Sequence, residues 1–99
     1  MSSHQVNLSV NDSPIPLDYF IQNLVDHVTT GIILALEGTG DPHSIELAIT
    51  QGSVSLKVNG VVVPTNDFVN KVTTSTLYGL VGCLKGGDHI ESLRIEIQK

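Results

Sequence analysis

Shifted by 48 positions, the chain lies on itself without a gap: residues 6–51 align with 54–99, and VNLSVNDSPIPLDYF falls on VSLKVNGVVVPTNDF. Eleven of the 46 aligned pairs are identical, where chance at average residue usage gives roughly three. Among them are Asn11/Asn59, Pro16/Pro64, Phe20/Phe68, Gly31/Gly79 and Gly38/Gly86, residue types that set turns, helix entries and helix ends. The sequence thus reads as two tandem units of one kind, and its fold has to be one that such a unit can complete by packing against its own copy.

Each unit reads strand, turn, short strand, helix, loop, strand. Val6, Leu8 and Val10 alternate with polar partners, as do Val54, Leu56 and Val58, which is the period of a half-buried strand. The dipeptides Asn11-Asp12 and Asn59-Gly60 come next and suit two-residue hairpins. Return strands end at Pro16 and Pro64, with Asp18 and Asn66 as helix N-caps. The first helix is expected from about Asp18 to Leu36, with Gly38 and Gly86 closing the two helices. Ile45/Leu47/Ile49 and Leu93/Ile95/Ile97 are the last strands, and Thr50-Gln51-Gly52-Ser53 turns the first unit into the second.

One apolar face per strand and one apolar stripe per helix require two layers. The expected class is α+β: two ββαβ units with pseudo-twofold symmetry, both helices on one face of a mainly antiparallel sheet, in a layout that resembles a ferredoxin-like plait. On a helical wheel Phe20, Leu24, Val28, Gly31, Ala35, Ile21, Ile32, Val25 and Leu36 fill the apolar sector of the first helix, and Phe68, Val72, Thr76, Gly79, Cys83, Val69, Leu80 and Leu84 that of the second. Turned toward the core, these stripes leave Tyr19, Ile33, Leu77, Tyr78 and Val81 outside. Those five are then the candidate partner interface. Gly31-x-x-x-Ala35 and Gly79-x-x-x-Cys83 repeat a small pair one turn apart, and since mid-helix Gly costs about 1 kcal/mol against Ala, close packing of each helix on its neighbours is the expected reason.

Ninety-nine residues with 40% hydrophobic and 15% charged side chains suit a single folded domain over 1–99. No run approaches a membrane span, and one Cys forms no internal disulfide, so a reducing cytoplasm is the expected setting. The net charge is −5, and it is unevenly held: residues 1–53 contain six acids and no Lys or Arg, while all five bases and four acids lie beyond them. Few, dispersed bases argue against nucleic-acid binding.

No spacing of nucleophile, base and acid resembles a catalytic set, and none is assigned. Asp41 and His43 in one loop and Asp88 and His89 in the other, which pseudo-symmetry places at the same end of the fold, are two His and two carboxylates able to ligate zinc or another divalent ion. The expectation is a non-enzymatic protein without cofactor that self-associates as a homodimer or binds a protein partner through its helix face. The alternative is a module binding a small ligand in the helix–sheet cleft, or a divalent metal at the Asp/His loops.

Overall fold

The computed structural model describes residues 5–36, 41–84 and 89–99. Its elements are β1 Gln5–Val10, β2 Ser13–Pro14, α1 Tyr19–Leu34, β3 Ser44–Thr50, β4 Ser53–Val58, β5 Val61–Val62, α2 Asp67–Val81 and β6 Ser92–Gln98. The bounds of β1, β2 and β3 recur in β4, β5 and β6 with the same offset of 48 as the sequence alignment. The class is α+β, with both helices on one face of a six-stranded antiparallel sheet.

Strand order is β2-β1-β6-β3-β4-β5, every neighbouring pair antiparallel. Each helix therefore connects two strands that lie two strands apart in the sheet, β2 to β3 across β1 and β6, and β5 to β6 across β4 and β3. The strands that leave the helices, β3 and β6, hold the centre, where a ferredoxin-like plait has the strands that enter them. Turn chemistry sets the hairpins: Asn11 and Asp12 take φ of 52° and 66°, Gln51 and Gly52 51° and 79°, Asn59 and Gly60 53° and 80°. Two consecutive positive φ values make the turn whose twist matches that of the flanking strands. At the sheet edges β2 and β5 are two residues long. After one more ladder bond each, from Ile15 N to Leu8 O and from Val63 N to Leu56 O at 2.9 Å, Pro16 and Pro64 end the donor row.

Asp18 and Asn66 cap the helices, each side-chain oxygen accepting from the N–H three residues on (Ile21 and Val69) at 2.8 Å. The helices end at Leu34 and Val81, with Ala35 and Gly82 as C-caps in the right-handed region. Gly38 and Gly86, expected to close them, lie outside the described residues. Strand alternation points Val6, Leu8, Val10, Ile45, Leu47, Ile49, Leu56, Val58, Leu93, Ile95 and Ile97 into one core. The helices close that core with Val25, Thr29 and Ile33 from α1 and Thr73, Leu77 and Val81 from α2, positions again 48 apart.

This helix face corrects the wheel. The buried line Val25–Thr29–Ile33 lies about 150° round the helix from Phe20–Leu24–Gly31–Ala35. Ile33, Leu77 and Val81, read as partner interface, are fully buried, Tyr78 packs against the core, and Tyr19 alone of the five is exposed. Gly31, Ala35, Gly79 and Cys83, read as close-packed, are exposed. A Cβ added to Gly31 or Gly79 would meet nothing within 4 Å. The cause is that apolar residues occupy nearly half the circumference of α1, more than one sheet face can cover, and the covered part includes Asp26. That buried carboxylate is satisfied locally: Thr30 Oγ1 donates to its Oδ1 at 3.0 Å, and Lys99 Nζ donates to Thr30 Oγ1 at 2.9 Å while lying 3.6 Å from the carboxylate.

Candidate functional site: an uncharged outer helix face

The sheet takes the Val25/Thr29/Ile33 line, Ile21 and Val28 pack partly against the core beside it, and the apolar residues beyond them on α1 stay at the surface; α2 repeats the arrangement. Phe20 is 68% exposed, Phe68 73% and Val72 40%. Leu24 and Val28 are half-buried beside them, and Gly31 and Ala35 continue the stripe to the end of α1. On α2 the stripe runs Phe68, Val72, Thr76, Gly79, Cys83, with Cys83 Sγ donating to Gly79 O at 3.4 Å.

Between the helices runs an open groove of about 510 Å³, with Val28, Ile32 and Leu36 on one wall and Phe68, Val69 and Val72 on the other. The groove joins the C-terminal half of α1 to the N-terminal half of α2, so the helices run antiparallel. In α1 the only Asp, Glu, Lys or Arg is Asp26, which is buried, so the helix presents no such charge to solvent. On α2 these charges are Asp67 and Lys71 alone. A solvated helix usually carries charge opposite its core face; depletion of charge with exposed aromatics marks the centre of a protein interface.

The opposite sheet face is charged. Glu46 stands opposite Lys57 on β4 and opposite Glu96 on β6, and Arg94 stands opposite Ala48. The set is thus less regular than a ladder of salt bridges, since two like charges face each other at its centre.

The Asp/His loops do not converge. Ser44, at the start of β3, pairs with Gln98, and Ser92, at the start of β6, pairs with Thr50, which puts the loops at opposite ends of the central strands, roughly 20 Å apart. The four-residue metal site is therefore corrected: Asp41 meets His43 at 3.7 Å and His89 meets Glu91 at 3.5 Å, both exposed. Asp88 lies outside the described residues. No group of three metal-ligating side chains occurs among the described residues.

What these loops do instead is anchor the turns. Asn59 Oδ1 accepts from His43 N and Ser44 N at 2.7 and 3.0 Å, and its Nδ2 donates to Asp41 O at 3.0 Å. Asn11 does the same to Glu91 N, Ser92 N and His89 O. The signal was the identity Asn11/Asn59 at a position that needs positive φ and a side chain with both donor and acceptor. Asn59→Ala is expected to cost about 1–2 kcal/mol in urea denaturation, with Asn59→Gly recovering the backbone share of that loss.

Comparison with protein-family models, curated proteins and solved structures finds no match to this chain. Among the described residues no helix is long and apolar enough to cross a membrane.

Proposed function

We propose that this protein is a docking module, built from two like halves, whose uncharged outer helix face binds the apolar surface of another protein chain, and that it performs no chemistry of its own. The observation that carries this reading is the inversion of the helices. Phe20 and Phe68 face solvent while Asp26 is buried, an arrangement that leaves apolar surface uncovered unless a partner covers it. The charged sheet face suits solvent.

The test is site-specific photo-crosslinking in the producing cell. With a photoreactive phenylalanine analogue at Phe20 or Phe68, discrete protein adducts are expected; at Arg94 on the sheet face, none. Absence of adducts at both helix positions would count against the docking reading.

A small apolar ligand is the second reading, favoured by the inter-helix groove, whose 510 Å³ falls within the size of ordinary ligand sites. It predicts that straight-chain fatty acids raise the thermal midpoint and that Ile32→Glu cancels the rise.

A further inference from the structure

We infer that the chain covering this face is a second copy of the protein, seated helix layer on helix layer about a twofold axis, with α1 of each protomer running antiparallel over α2 of the other. The inference rests on the docking reading above and gives the partner its identity.

Each outer stripe is large at its start and small at its end: Phe20 and Leu24 precede Gly31 and Ala35, and Phe68 and Val72 precede Gly79 and Cys83. Laid antiparallel on its own kind, such a stripe complements itself. Phe20 falls over the partner's Cys83, Leu24 over the partner's Gly79, Gly31 under the partner's Val72 and Ala35 under the partner's Phe68. Large meets small at every level, as interdigitating layers require. Nothing inside the chain occupies the space above Gly31 or Gly79, although glycine is a poor helix former. A second copy supplies side chains to fill it.

Two face-to-face twofold arrangements meet this steric condition, and charge separates them. Among the described residues the strand order puts Asp12, Asp18, Asp26, Glu91 and Glu96 with Arg94 and Lys99 on the α1 side of the sheet, and Asp41, Glu46 and Asp67 with Lys57 and Lys71 on the α2 side. Placing α1 over the partner's α1 sets the more acidic side against itself, and placing it over the partner's α2 does not. Size also suffices. The molecule measures 37 × 35 × 18 Å, so its broad side has room for the ~800 Å² per partner of a standard stable interface.

The purified chain should sediment at twice its monomer mass, and Phe20→Asp with Phe68→Asp should sediment as a monomer with an unchanged circular dichroism spectrum. Gly31→Ala with Gly79→Ala should raise the thermal midpoint of the monomer, by removing two helix glycines, and weaken association roughly tenfold or more, about 1.4 kcal/mol. The register is read by mixing wild type, whose one thiol is Cys83, with a Phe20→Cys/Cys83→Ser chain and a short bis-maleimide. A cross-linked heterodimer is expected there and not with Phe68→Cys/Cys83→Ser. Linkage through position 68 instead would overturn the α1-over-α2 placement. A wild-type monomer at all concentrations would overturn the inference entirely: with foreign-protein adducts in the photo-crosslinking experiment the docking reading stands alone, and with no adducts both fall.

Discussion

Leu77→Ala should destabilise the protein by about 2–5 kcal/mol and Leu77→Asp should abolish cooperative unfolding, while Phe68→Ala should change stability by less than ~0.5 kcal/mol. Both are large apolar residues of α2. Leu77 is 0% exposed and Phe68 73% exposed, so the pair reports which side of the helix meets the sheet. Urea denaturation with a common m-value gives the two costs directly. Equal losses, or a larger loss at Phe68, would mean that α2 is rotated so that its Phe68 side meets the sheet. The same comparison in α1, between Ile33 and Phe20, should give the same ranking.

The second large effect is expected at the ion pair that Lys99 makes with the buried Asp26. Lys99 and Asp26 side chains are 18% and 4% exposed, 3.6 Å apart, and bridged through Thr30. Lys99→Met removes the cation and leaves a carboxylate in the core, at an expected cost of about 3 kcal/mol. Asp26→Leu combined with Lys99→Met should recover most of that loss, because apolar residues of similar size avoid the desolvation that the pair has to offset. Chemical denaturation of the two single variants and the double variant yields the coupling energy; additive losses would mean that the two groups do not act together.

Much of the fold was legible in the residue pattern, for physical reasons. Strand alternation in Val6-Leu8-Val10 and Ile45-Leu47-Ile49 has no competing reading, because period two fits one backbone geometry. Asn11, Asn59 and Gly60 take positive φ, and Asp18 and Asn66 cap α1 and α2. The helix orientation was not legible. In α1 apolar residues outnumber what one face can bury, and a wheel chooses the most apolar side, which here is the outer one. The polar markers that should have pointed outward, Asp26 and Thr29, are buried. Asp26 finds its partners in Thr30, on its own helix, and in Lys99, 73 residues further along, and a contact at that separation leaves no local trace. The candidate face shifted with the orientation: Gly31, Ala35, Gly79 and Cys83, read as packing, became surface, and Ile33, Leu77 and Val81, read as surface, became core, while Val25 stayed in the core and Tyr19 at the surface. The Asp/His loops failed for a topological reason, since antiparallel β3 and β6 begin at opposite ends of the sheet.

The short proline-ended strands at the sheet margins bear on how far any assembly can go. With β2 and β5 offering two residues each before Pro16 and Pro64 interrupt the donor row, a third chain finds no ladder to extend. A pair joined by its helix faces would turn its charged sheet surfaces outward, so the assembly is finite: adding protein fills more pairs and lengthens none.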